Sequence, residues 1–215
     1  VVAEHNFVGA SFQGGFHSLV DCLIRYNTGD QIDLSTAYPK HLVGAEHNPL
    51  CRTTLFCQNV VVRGGGSRAG LRVRSEAVAV VEHSVITGSL EGVAVDEGGV
   101  CHLTTSVVAD CPCAIASESA EVFRDYNVYY PGAMKWLGTS YAPEQWEAFR
   151  SQAMCDVHSR IGPVTVAEDG TITFPAESAA KGIEKTVGPT APVVVEVARR
   201  SARVDGQHTS QTTGD

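Results

Sequence analysis

The sequence predicts an all-β protein: a right-handed parallel β-helix, a solenoid of ~22-residue coils, with a C-terminal cap containing one short helix. Three observations carry this. First, Gly70-Leu71-Arg72-Val73-Arg74, Gly92-Val93-Ala94-Val95-Asp96 and Ala114-Ile115-Ala116-Ser117-Glu118 align at a constant step of 22 residues. Second, His83-Ser84-Val85-Ile86, Thr105-Ser106-Val107-Val108 and Asn127-Val128-Tyr129-Tyr130 follow the same step in a second register. Third, each run is only a few residues long and alternates apolar with polar side chains, the signature of a strand with one buried face. Such a unit cannot bury its apolar face alone. Stacked coil on coil, with rungs about 4.8 Å apart, it closes a continuous interior. A leucine-rich repeat would need an L-x-x-L-x-L pattern that is absent, and paired helices would need a longer period.

The elements follow in order. Val2 to Val8 echoes Val80 to Ile86, and Asp21 to Ile32 reads as another coil. Ser35 to Pro49 carries Pro39 and Pro49, fits no coil, and reads as a loop projecting from the cylinder. Residues 1–130 are therefore expected to form four to six coils. Because Val1 already lies in strand-like sequence, upstream coils of the same polypeptide are expected before it. Residues 131–188 read as the cap: Pro143 to Met154 has helical spacing, with Trp146, Phe149 and Ala153 on one face. Gly162-Pro163-Val164 and Thr171 to Phe174 read as short strands about an Asp169-Gly170 turn. Residues 189–215 read as a largely disordered tail with a short Val193–Val197 run.

Composition narrows the function classes. At 215 residues with 43% apolar and 19% charged residues, one sizeable core is expected. The formal net charge of −8 opposes binding to nucleic acid and to anionic membranes. No apolar stretch approaches the ~18 residues of a membrane span. Seven cysteines without a C-x-x-C pair lack the usual zinc spacing, and they read as small buried apolar residues. An odd number leaves at least one thiol unpaired or bonded to another chain.

The phrase Asn27-Thr28-Gly29-Asp30-Gln31-Ile32 resembles the N-x-G-D-x-I turn-to-strand signature of the right-handed β-helix proteins related to pectate lyases, chondroitinase B-like lyases and polygalacturonases. Residues Asp125 to Tyr130, with Trp136, Tyr141, Trp146, Asp156 to Ser159, Gly162-Pro163, Phe174 and Ser178 to Ile183, are similar to the C-terminal cap of secreted bacterial members. The departure is Ala180-Lys181, where those proteins usually have Pro-Ala. The resemblance covers roughly residues 1–188. It implies a secreted or cell-surface protein that handles polysaccharide, with lyases, hydrolases, epimerases and non-catalytic members among its relatives.

The 22-residue register also predicts side-chain direction. With Leu71, Val93 and Ile115 inward, Arg72, Ala94 and Ala116 point outward, and Arg74, Asp96 and Glu118 form the next outward row. Placing Ile32 beside Leu71 adds Asp33 next to Arg72. Asp33, Arg72, Arg74, Asp96 and Glu118 then line a candidate groove for an extended acidic glycan. In a lyase, Arg72 or Arg74 would neutralise the substrate carboxylate. Asp96 and Glu118 are candidate acid–base groups or weak Ca²⁺ ligands. No Lys falls in this register to serve as base, and His83 and His102 lie on other faces. For a hydrolase, carboxylates on adjacent rungs stand nearer the retaining than the inverting separation, whereas the polygalacturonase-like members invert. The competing reading is ordinary cross-strand charge pairing, worth about 0.2–1 kcal/mol a pair. Asp21, Asn59, His83, Thr105 and Asn127 are expected to form a polar ladder at one corner. Tyr126, Tyr129, Tyr130, Trp136 and Trp146 are expected in the core of the cap.

Overall fold

Strands this short and this regularly patterned find hydrogen-bond partners only by stacking. In the computed structural model, which describes residues 1–36, 52–178 and 187–190, they form a right-handed parallel β-helix of about five turns. Each coil presents three faces. The first stacks Val2–Glu4, Leu23–Arg25, the leading halves of Val61–Val73 and Val85–Val95, Val107–Ala109, Val128–Tyr130 and Arg160–Ile161. The second stacks Ala10–Gln13, Ile32–Ser35, the trailing halves of the same two long strands, Cys113–Ser117 and Met134–Trp136. The third stacks Gly15–Val20, Thr53–Gln58, Val78–Glu82, Val100–Thr104 and Val122–Asp125. Most of the expected Ser35–Pro49 loop, the Ala179–Ile183 part of the cap motif and the Val193–Val197 run lie outside the described residues.

The second face has the expected register: Ile32, Leu71, Val93 and Ile115 are partners across successive coils and all are buried. Its interior column ends on Met134. The first face contributes Ile24, Val62, Ile86, Val108 and Tyr129, and the third Cys57, Val81, Leu103 and Arg124. Gly70 and Gly92 sit where the coil bends toward the second face. A Cβ at Gly70 would collide with Ile86, and one at Gly92 with Val108, so the repeat needs glycine there.

Several registers depart from the constant step, and one of them re-sorts the polar corner. Val107 pairs with Val128, Val108 with Tyr129 and Ala109 with Tyr130, so this coil is one residue shorter than the sequence spacing implied. The difference matters because a one-residue slip turns every side chain to the opposite face. Tyr129 is thus fully buried while Tyr130 is exposed.

The same slip re-sorts the polar ladder. Asp21, Asn59, His83, Thr105 and Tyr126, rather than Asn127, occupy the left-handed corner, with φ between 48° and 58°. Asn59 donates to the Asp21 carboxylate, and the His83 N–H donates to Thr105 Oγ1 at 3.2 Å. Asn127 stands one place on, in a second ladder. There the N–H groups of Val60, Ser84, Ser106 and Asn127 donate to the side-chain oxygens of Ser84, Ser106, Asn127 and Ser159 at 2.9–3.1 Å. Each buried corner amide finds its acceptor in the following coil.

The interior closes at the C-terminal end. Arg124 replaces the aliphatic residue of its column and lies 5.0 Å from the Trp136 ring and 4.8 Å from the Phe149 ring. Its Nε stands 3.1 Å from Asp156 Oδ2, both side chains fully buried; Tyr129 and Ser159 donate to Asp156 Oδ1. Burial is the largest single influence and opposes the charge of Arg124, but Asp156, Tyr129 and Cys155 together outweigh it and raise the guanidinium pKa. Phe149 belongs to the helix Trp146–Ala153, which follows a 3-10 turn at Pro143–Gln145. Tyr129, Trp136, Trp146 and Phe149 pack together as the cap core. Tyr126 and Tyr130 do not join it; Tyr126 stacks on His158 at the surface.

Beyond the helix, the hairpin Thr165–Val166 and Ile172–Thr173 covers an apolar row on the outside of the first face, where Val164, Val166 and Val187 meet Val85, Val107 and Val128. Arg63 ties it down through the carbonyls of Val166 and Ala167. Replacing Asn127 by Ala would strand the buried Ser106 N–H and the Leu103 carbonyl, which Asn127 satisfies at 3.0 and 2.8 Å. Urea unfolding of Asn127→Ala is expected to show a loss of about 2–4 kcal/mol. A loss under about 0.5 kcal/mol would show the ladder to be dispensable.

Candidate functional site

On the outer side of the second face, Asp33, Arg72, Ala94, Ala116 and Lys135 are register partners in that order. Arg74, Asp96 and Glu118 follow at the strand ends, each held by its N–H to a carbonyl of the preceding coil. The expected residues therefore share one face. Ala94 and Ala116 have almost no side chain, so they leave a shallow cleft of about 260 Å³ including solvent at its mouth. Arg72, Asp96, Glu118 and Lys135 surround it. Arg74 and Asp33 lie outside its lining.

Arg72 has a different role from the one its type suggested. It is only 8% exposed, and its guanidinium is divided among Asp96 Oδ1 at 3.0 Å, Glu91 Oε2 at 3.1 Å and Asp30 Oδ2 at 3.2 Å. Those carboxylates come from the two coils on either side, so Arg72 holds them together and has little left for a substrate. Arg74 Nε donates to Asp33 Oδ1 at 2.7 Å. That hydrogen bond, foremost, raises the Arg74 pKa against the opposing effect of burial, with Asp96 and Asp30 adding to it. Five carboxylates (Asp30, Asp33, Glu91, Asp96 and Glu118) thus stand with Arg72, Arg74 and Lys135, and the surface is locally acidic.

Glu118 and Lys135 are exposed, and neither makes an ion pair among the described residues. Lys135 is the group that sequence spacing missed. Ile115 pairs with Met134, a step of 19 rather than 22, so the constant register pointed at Gly138 instead. Alternation could not find Glu91, since two residues before the inward Val93 it would point inward, whereas it reaches Arg72 on the outer side across Gly92. Asp30 sits inside the turn phrase and carried no signal either.

Cys113 borders the cleft beside Glu91 and Lys135. Burial, and after it Glu91, push its thiol pKa up, which keeps it from acting as a thiolate nucleophile at neutral pH. Of the histidines, His102 stacks on Phe123 on the third face at 4.8 Å, and His158 Nδ1 lies 2.8 Å from Asp125 Oδ2. Among the described residues, no three His, Cys, Asp or Glu side chains converge as metal ligands. Asp96, with one oxygen engaged by Arg72, and Glu118 supply few of the six to eight oxygens Ca²⁺ takes. The described cysteines are all unpaired, and four of them (Cys22, Cys57, Cys101 and Cys111) are buried. No helix among the described residues is long and apolar enough to cross a membrane.

Fold and cleft together define a right-handed parallel β-helix protein with an acidic, Arg-centred charge cluster on the outside of its second face. No protein-family model, curated protein or solved structure matches the chain.

The two arginines should separate in stability. Removing Arg72 leaves buried Asp30 without its principal counter-charge, so Arg72→Ala is expected to cost about 3–5 kcal/mol in urea unfolding. Arg74 is half exposed, and Arg74→Ala should cost less than about 1 kcal/mol. Equal effects from the two variants would contradict the central role given to Arg72.

Proposed function

We propose that this β-helix binds an extended acidic polysaccharide across the rungs of its second face and cleaves it by β-elimination in the Ala94–Ala116 cleft. The observation that carries the reading is the juxtaposition of Glu118 and Lys135 over a floor of alanines. They are a carboxylate and an ammonium on adjacent coils, both exposed and neither spent on an internal ion pair. Rungs about 4.8 Å apart suit a polymer laid along the solenoid axis.

Lys135 neutralises the uronate carboxylate in place of Arg72, which makes the adjacent α-proton more acidic. Glu118 accepts that proton. The electron pair left on the α-carbon forms a carbon–carbon double bond as the β C–O bond breaks, and the departing oxygen takes a proton from solvent to become the hydroxyl end of the other fragment. Arg72 acts as a positioning residue by fixing Asp96 and Glu91 at the cleft wall. The resemblance to secreted β-helix proteins supports a secreted or cell-surface setting for this reaction. Were Ca²⁺ to bind, Asp96 and Glu118 would hold it and it would supply positive charge for the substrate carboxylate, at the expense of Glu118 as base.

A second reading, non-catalytic glycan binding or a surface spacer, is favoured by the saturation of Arg72 with three carboxylates and the resulting acidic field. Incubation with pectate, alginate and glycosaminoglycans, with and without Ca²⁺, separates the two. The ultraviolet absorbance of unsaturated products is expected to rise, and to fall at least about a hundredfold in rate in Lys135→Ala and Glu118→Gln. New reducing ends without that absorbance would indicate hydrolysis and overturn the elimination. Neither signal from the panel would leave the binding role in its place.

A further inference from the structure

A second concavity lies away from the cleft, where the helix Trp146–Ala153 meets the final strand Arg160–Ile161 of the first face. It is a broad, open concavity of about 1010 Å³, counting the solvent at its mouth. Its lining has two characters. Trp146, Val157 and Ile161 form an apolar side; Arg150 and Arg160 form a cationic one, opposed by Glu147. In a chain of net charge −8 that is a local reversal of sign.

The cations are not used up internally. Arg150 gives one contact to Glu147 at 3.2 Å, and its Nε is buried with no hydrogen-bond partner. Arg160 is exposed and gives only Nη1 to the Ser159 carbonyl at 2.9 Å. Among the described residues, each of the two guanidinium groups therefore keeps donors that no internal acceptor engages. Trp146 packs against Phe149 and Tyr129 and remains half-exposed, a rigid ring surface beside those donors. An apolar ring surface next to two arginines recognises a ligand with one carbon-rich face and a carboxylate at its edge.

The geometry points to a second glycan subsite at this concavity, taking a hexuronate residue with its ring against Trp146 and its carboxylate on Arg160 and Arg150. The inference rests on the acidic-polysaccharide reading but places recognition at a different set of residues. Trigalacturonate titrated into the full chain carrying Lys135→Ala, with tryptophan emission and calorimetry as readouts, tests it with the cleft disabled. Saturable binding is expected to persist in that background. It should weaken about tenfold or more when Arg160→Ala is added, or when the methyl ester replaces the acid. Arg160 is exposed, so its variant should fold; unchanged urea unfolding checks that. No saturable binding, or binding indifferent to Arg160→Ala or to esterification, would overturn the subsite. Turnover by the unmodified chain would survive that failure and keep the cleft reading.

Discussion

Parallel, in-register stacking is the constraint on which the rest of this molecule depends. Within the solenoid, strands take their hydrogen bonds from neighbouring coils, so a residue's environment is set by the residue at the same position one coil away. That is why the interior reads as columns such as Ile32, Leu71, Val93 and Ile115, and why the corner amides share a ladder of serine, asparagine and serine oxygens. A column cannot end on an aliphatic residue open to water. At the C-terminal end Arg124 fills the last place under Trp136 and Phe149, its charge answered by Asp156.

The two buried arginines show how context outweighs residue type. Arg124 and Arg72 both sit where stacking gives them little solvent; Arg72 meets three carboxylates, Arg124 meets Asp156 and the rings of Trp136 and Phe149. A buried guanidinium is tolerated only when the surrounding charge and hydrogen bonds repay its desolvation. For Arg72 that means three carboxylates from the two neighbouring coils. The charge that seemed free to meet a substrate instead sets the positions of Asp96 and Glu91. Chemistry on this face then falls to groups that stacking leaves exposed, Glu118 and Lys135.

The outside of the first face illustrates the same rule in reverse. Its row of valines would be a wet apolar surface on a regular coil. The segment beyond the helix returns over it, anchored by Arg63 and by the Gly188 N–H on the Thr105 carbonyl. The cap sequence therefore both closes one end of the cylinder and shields one of its sides.

Much of the architecture was legible in the sequence. The constant step located the columns, the direction of Leu71, Val93 and Ile115, and the shared face of Arg72, Asp96 and Glu118, because alternation along a strand dictates which side each residue takes. Helical spacing located Trp146 and Phe149. What the sequence could not supply was the local coil length. One residue fewer before Val128 moved Asn127 off the expected corner, and three fewer before Met134 brought Lys135 onto the candidate site. It also could not show that Arg72 is internally neutralised, since Asp30 and Glu91 reach it only through neighbouring coils. Periodicity is a local property and survives in one dimension. The partners of a charge are chosen by distances across the stack, and those exist only once the coils have closed.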